Sequence, residues 1–253
     1  MKESIKANMN DEKNEFFKTV NAYQLQGRVV ELRILKSRLN KGRTVSGYYN
    51  NHNKAWNDIR TRWKDETIYM SLQKLNPAIL ARADNRLRTD TTNCTSENDV
   101  QAYIFLHIDI DPKRPSGIQA TDRERKYAKK MLLQVMEFLK NFCFTSPIIC
   151  MSGNGYTADY YLEELPVNKE NKELIKAVLE TLDSIFSDDK ASVDTSVCDP
   201  PRIIKLAGTI SRKGDSLPDR PYTYSKIIKY PQLPVNVTKE ELLEVASLKK
   251  ELI

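Results

Sequence analysis

YIFLHIDIDPKRP, residues Tyr103 to Pro115, reads as a buried strand that ends in charge. The residues from Tyr103 to Asp111 contain neither Gly nor Pro and are rich in Ile, Phe and Tyr, and this run ends in two aspartates before Pro112 stops the ladder. Side chains alternate faces along a strand, so Asp109 and Asp111 fall on one face while Ile104, Leu106, Ile108 and Ile110 fall on the other. Two carboxylates at that spacing repel each other unless a cation sits between them, and hard oxygen ligands suit Mg²⁺ or Mn²⁺. Taken alone, D-x-D before Pro reads as the start of an ordinary turn.

The segments around this strand alternate between strand and helix. RVVELRIL (Arg28 to Leu35) and TVSGYYN (Thr44 to Asn50) read as a hairpin joined by the basic turn RLNKGRT, near which Lys36, Arg38, Lys41 and Arg43 gather. Such a turn is either a solvated charged loop or a grip on phosphate. Asn53 to Trp63 has helical spacing, TIYMSLQ is a strand, and PAILARADNRL (Pro77 to Leu87) begins with Pro at a plausible first helical position. Arg88 to Asp99 has no apolar period and is expected to be a loop. After the aspartates, Thr121 and Glu124 form a capping box for a helix from about Asp122 to Phe142. PIICMS, the turn Gly153-Asn154-Gly155 and YTADYYLEEL then form strand, turn and strand, a place where backbone N–H groups approach phosphate. Asn168 to Phe186 is a second amphipathic helix, SVDTSV puts Asp194 at the end of a short strand, PYTYSKII is a last strand, and Thr238 with Glu241 caps a closing helix.

Composition narrows the class. A chain of 253 residues, 40% hydrophobic and 29% charged, buries a sizeable core. There is no run of about 18 apolar residues, and MKESIKANMNDEKNE is too polar for a signal peptide, which predicts a cytoplasmic protein with no membrane partner. Four scattered cysteines, Cys94, Cys143, Cys150 and Cys198, with only His52 and His107 to help them, argue against zinc and read as reduced, mostly buried thiols. A net charge of +6 favours a polyanionic partner.

HIDIDPKRPSG, MSGNGY and VDTSVCDPPRIIKLAGTISRKG, in that order, resemble the catalytic core of the archaeo-eukaryotic primase superfamily, in its bacterial, phage and mobile-element primase-polymerase branch. TVSGYYN, IYMSLQKLNP and ILARADNRL are similar to the segment before the first aspartates in that branch, so the resemblance runs from about Arg28 to about Ile228. It implies an α+β fold: a primase-polymerase core with a small RNA-recognition-like antiparallel sheet and an N-terminal α/β lobe. The implied organisation is a polar tail and helix over 1–27, then one catalytic domain over 28–253, with its N-terminal lobe to about 100, a sheet lobe to about 230 and a C-terminal helix over 238–250.

By the same resemblance Asp109, Asp111 and Asp194 are the catalytic carboxylates and hold two divalent ions, Mg²⁺ or Mn²⁺. Ser152, Gly153, Asn154, Gly155 and Thr157 lie against the incoming nucleoside triphosphate; Arg202 and Lys205 pair with its phosphates, with Arg114 and Lys213 as further candidates. Arg43, Arg82, Asn85 and Arg86 form a wall toward a single-stranded or primed DNA template. A helicase or other module, fused or in trans, fits the same picture; the chain itself is expected to be monomeric. Plasmid or phage replication and a CRISPR-type defence role are equally compatible with it. One position departs from the pattern: the second motif usually runs S-G-x-G-Y-H, and here Thr157 stands in the last place. A threonine hydroxyl brings one donor and no positive charge, which leaves open a weakened or inactive primase-fold nucleic-acid-binding or replication-initiation module. A D-x-D glycosyltransferase or nuclease leaves the second and third motifs unexplained.

Overall fold

The computed structural model describes residues 9–251. Helix α1 (Met9–Ala22) precedes the hairpin β1 (Val30–Ile34) and β2 (Val45–Tyr49), antiparallel with Ile34 opposite Val45. Helix α2 (His52–Asp58) runs on as one π-turn over Ile59–Trp63; β3 (Ile68–Ser71) and β4 (Lys74–Leu75) follow. The Pro77 segment is a 3-10 turn over Pro77–Arg82 and not the longer helix its spacing predicts, because Asn76 caps only that turn and Ala83 leaves helical geometry. Next come β5 (Val100–Pro112), α3 (Asp122–Leu139), β6 (Ile148–Met151), β7 (Tyr156–Pro166), α4 (Lys169–Phe186) and β8 (Ala191–Val193). The chain ends in β9 (Ile203–Lys205), β10 (Ile210–Ser211), β11 (Thr223–Tyr224), β12 (Lys226–Lys229) and α5 (Lys239–Ser247). The capping boxes at Thr121/Glu124 and Thr238/Glu241 both form.

Two sheets organise the molecule. One has the order β2-β1-β3-β9; the other runs β12-β6-β7-β5-β4, with β8 paired to the end of β5. The helices α3, α4 and α5 cover one face of the second sheet, where Leu106, Ile108 and Ile110 meet Leu132, Val135, Val178 and Leu182. The first sheet and α1 cover its other face around Phe105, Tyr161 and Ile148. Fully burying one Ile or Leu in such a layer contributes about 1.5–3 kcal/mol. The result is a mixed α+β architecture built on antiparallel sheets.

Simple alternation fails at one point of β5. Tyr103 pairs with Leu165 but Phe105 with Tyr161, so β7 carries extra residues there. Gln73 fills the irregularity: its Oε1 accepts from the Ile104 and Phe105 amides, and its Nε2 donates to the Phe105 carbonyl. Ile104 therefore packs against the first sheet instead of beside Leu106 among the helices. Beyond this point the alternation holds, and His107, Asp109 and Asp111 face the first sheet. The thiols also differ from expectation. Only Cys198 is buried; Cys94 and Cys150 are half-buried and Cys143 is exposed, being carried out at the left-handed residue that ends the turn after α3. Among the described residues no helix is long and apolar enough to cross a membrane.

Candidate active site

Where the two sheets diverge they leave a cleft of about 190 Å³. Its floor comes from β5 and β7, its roof from β9, and its far wall from β6 and the start of β12. Asp109, Asp111, Ser152, Asn154, Thr157, Arg202, Lys205 and Lys213 all line it. The three sequence motifs thus meet in space. Asp109 lies opposite Thr157 and Asp111 opposite Ser192, so two antiparallel pairs hold the carboxylates from either side.

Asp109 is the electrostatic centre. Its Oδ1 is buried without a hydrogen-bond partner. Burial, and then the charge of Asp111, push its carboxyl up to about 7. A buried, unpartnered carboxylate oxygen beside a second carboxylate is costly unless a cation joins it, so these two residues fit a hard divalent ion. The third carboxylate is close but differently engaged: the Asp194 amide donates to the Asp109 carbonyl at 2.9 Å, while its Oδ1 accepts from the Ser196 amide and caps the short turn after β8. Among the described residues no three ligating side chains already converge as a metal site would have them. The expected three-carboxylate set is thus two on the cleft face and one acting as a cap.

Cations stand opposite the acids. Lys205 is half-buried; its Nζ donates to Ser211 Oγ at 2.8 Å and lies 5.8 Å from the centre of the Tyr69 ring. Burial, and then the Lys213 charge, bring it down to about 8. Ser211 Oγ also accepts from Asn154 Nδ2, and Asn154 Oδ1 accepts from the Ala120 amide, so the turn and the lysine form one network. Arg202 donates to the Ser196 carbonyl and keeps a buried Nε without a partner. Arg114 does not line the cleft: it donates to the carbonyls of Pro112 and Ile118, and its charge lies 3.7 Å from Asp111 Oδ1.

The glycine turn closes on itself. The Gly155 amide donates to Ser152 Oγ, the Ser152 amide to the Gly155 carbonyl, and the Gly153 amide lies 2.9 Å from Met151 Sδ. Its glycines are explained by close approach instead of by open amides. A Cβ on Gly153, at φ +95°, would sit 2.4 Å from Ser211 Cβ, and one on Gly155 would sit 2.3 Å from the Ile110 carbonyl oxygen. Gly155→Ala is therefore expected to cost about 1–3 kcal/mol and to disturb Asp111, whose Oδ1 would lie 3.0 Å from the new methyl. Urea unfolding checks the first; an unchanged midpoint would mean that β5 and β7 can part without loss.

Behind the cleft lies a group that motif reading passed over. Asp159 is fully buried; its Oδ2 accepts from the Tyr23 hydroxyl and its Oδ1 from His107 Nδ1, both at 2.5 Å. Burial works against a charged imidazole here, but the neighbouring Asp159 carboxylate more than offsets it and holds His107 above the ordinary value. The sequence signal was a charged residue on the inward face of the apolar strand β7. Nothing local pointed to Tyr23, which the end of α1 delivers.

None of the four residues expected to face a template, Arg43, Arg82, Asn85 and Arg86, lines the cleft itself. Arg82 is forked onto Asp99 at 2.8 and 2.6 Å, and Asn85 accepts from the Asn50 and Asn51 amides. Arg43 and Arg86 are exposed.

The fold has solved counterparts. The AEP domain of the cyanophage S-2L primase-polymerase superposes with a TM-score of 0.52 at 10% identity, covering 92% of this chain and 97% of that one. Primase RepB' gives 0.49 at 10% identity over 95% of this chain and 64% of that chain; the RepB' catalytic domain in complex with initiator DNA gives 0.46 at 10% identity over 94% and 96%. No protein-family profile matches the sequence, and none of the curated proteins does. The chain has an α+β fold with Asp109, Asp111, Ser152, Asn154, Thr157, Arg202 and Lys205 gathered in one cleft between two sheets. That fold is similar to the AEP domain of a phage primase-polymerase.

Proposed function

We propose that this protein is a template-dependent primase or primase-polymerase that joins nucleoside triphosphates on single-stranded or primed DNA. The observation that carries this reading is the buried, unpartnered Asp109 Oδ1 beside Asp111, facing Lys205, Arg202 and Lys213 across one cleft. Carboxylates beneath and cations above suit a substrate that is a polyanion carried with a divalent cation.

Asp109 and Asp111 would hold the divalent ions, Mg²⁺ or Mn²⁺, and Asp194 would join them by turning its carboxylate from the Ser196 amide. When bound, such ions make a 3'-hydroxyl more nucleophilic and stabilise the pentavalent phosphorus. Lys205 contributes a positive charge fixed by Ser211, and an arriving triphosphate restores the full protonation that burial weakens. Arg202 brings the unpartnered Nε and Lys213 an exposed ammonium to the leaving pyrophosphate. Lying against the Asn154–Ser211 network, the nucleotide is oriented by groups that are themselves hydrogen-bonded in place. Primer synthesis and primer extension on single-stranded DNA, with either metal, test the proposal; no product from either reaction across several templates would overturn it.

A second reading rests on Thr157. It is buried in the cleft opposite Asp109, where it adds no charge toward a phosphate. On this reading the protein binds nucleic acid and nucleotide but turns over slowly. Thr157→His is expected to raise nucleotide affinity or polymerisation by about tenfold, the scale of one charge-assisted hydrogen bond. An unchanged rate and Kd would clear position 157 of limiting the reaction.

A further inference from the structure

The turn between β1 and β2 is built in a way its composition does not require. Lys36, Arg38, Lys41 and Arg43 are all exposed, and no carboxylate lies between residues 36 and 43. Between them two polar residues point inward, while Leu39 is exposed. Ser37 and Asn40 are buried; Glu66, itself 5% exposed, accepts from the Ser37 hydroxyl and the Leu39 amide through one oxygen. Asn40 Nδ2 donates to the Thr89 carbonyl at 2.8 Å, and the amides of Asn40 and Gly42 both donate to the Ser37 carbonyl. The turn is thus held from beneath while its four cations face out.

These four form no ion pair and no side-chain hydrogen bond among the described residues, although arginines close by do: Arg33 is paired with Glu31, Arg82 with Asp99, and Arg88 with Asp90. A merely solvated surface would mix both signs at this spot, as the neighbouring segments do. Contacts also link the turn to the cleft. Glu66 follows Lys64 and Asp65; Arg212 donates to the Asp65 carbonyl and Thr67 Oγ1 to the Ile210 carbonyl; Lys213, next to Arg212, lines the cleft. Lys213, Arg212, Lys64 and the turn therefore follow one another along the molecule, with Asp65 and the neighbouring Glu12 as acidic members beside them.

Resting on the primase reading of the cleft, we infer that the β1–β2 turn is a distal contact for the phosphate backbone of the nucleic-acid strand that leaves the cleft past Lys213. A linear polyanion suits cations spaced along a path that begins at a nucleotide site, whereas a compact acidic protein would have no reason to share the cleft's edge. Because the turn is fixed by Ser37, Asn40 and Glu66, little ordering entropy is lost when the strand binds.

The test is the quadruple variant K36Q/R38Q/K41Q/R43Q, whose changes are all on exposed side chains. Binding is measured by anisotropy with two labelled single-stranded DNAs, one of about four nucleotides that stays within the cleft and one of about twenty that reaches past it. The variant is expected to bind the long strand about 10- to 100-fold more weakly at low salt, with a salt slope shallower by about 3, while the short strand is unaffected. Equal binding of the long strand, or equal weakening of both, overturns the track and leaves the function standing. Loss of poly-glutamate binding with DNA binding intact would assign the turn to an acidic protein and also overturn it. A parent protein that binds no DNA and makes no product overturns the function, and the track with it.

Discussion

Asp109→Asn is expected to abolish primer synthesis and extension, by at least about 10³-fold, while making the metal-free protein more stable near neutral pH. The first effect follows because the amide removes the buried charge that would bind a divalent cation beside Asp111. The second follows from linkage. Burial and the charge of Asp111 raise Asp109 from the ordinary aspartate range, about 3.9, to about 7 in the folded chain. A group raised in this way favours the folded state when protonated, so its stabilisation is present below about pH 4 and is lost as pH climbs through about 7. In chelator the parent should therefore lose a few kcal/mol across that window, relative to a variant that carries no titrating group at 109. Mg²⁺ or Mn²⁺ should restore the parent above pH 7 and leave the variant where it was. Urea midpoints from pH 4 to 8, with and without metal, measure this. Parallel curves for the two proteins would show that Asp109 is not the strained centre of the cleft.

Asp159→Ala is the second large effect, and it concerns stability first. Removing the carboxylate leaves the Tyr23 hydroxyl and the His107 ring buried without their shared partner, a loss of about 3–5 kcal/mol. It also loosens the junction of α1 with the second sheet, although the Tyr161 hydroxyl still donates to the Ala22 carbonyl. The pH dependence has a definite sign. His107 is raised in the folded state, so the pair's contribution is complete below the ordinary imidazole value of about 6.5 and declines as pH passes the raised one. The gap between parent and variant should accordingly be widest in mild acid and narrower in alkali. Thermal or urea unfolding at several pH values checks this, and Asp159→Asn, which preserves the shape, should lose less. A gap below about 1 kcal/mol at every pH would mean that water replaces the carboxylate without penalty.

The difference between these two residues shows where sequence reasoning reaches. Asp109 was legible because period-two alternation placed it with Asp111, and the resemblance to primases gave the pair a role. Asp159 lies on a strand that was also read correctly, yet its partners come from β5 and from the end of α1. No periodicity relates residue 159 to Tyr23. The same holds for Arg82 and Asn85, whose partners Asp99 and the Asn50 and Asn51 amides no local pattern relates to them.

By itself the sequence determined the elements whose signals act over a few residues. These are the capped helices α3 and α5, the hairpin β1–β2, the strand–turn–strand around Gly153, and the two aspartates on one face of β5. Hydrophobic period and caps are local, so they need no knowledge of what packs where. Only the tertiary structure decided the rest: that β9 brings Lys205 over the aspartates, that Asp194 serves as a cap, that the turn's glycines make room for Ser211 and the Ile110 carbonyl, and that Glu66 props the basic turn outward. Those contacts join residues far apart in the chain, and their positions are set by the order in which the two sheets close on one another.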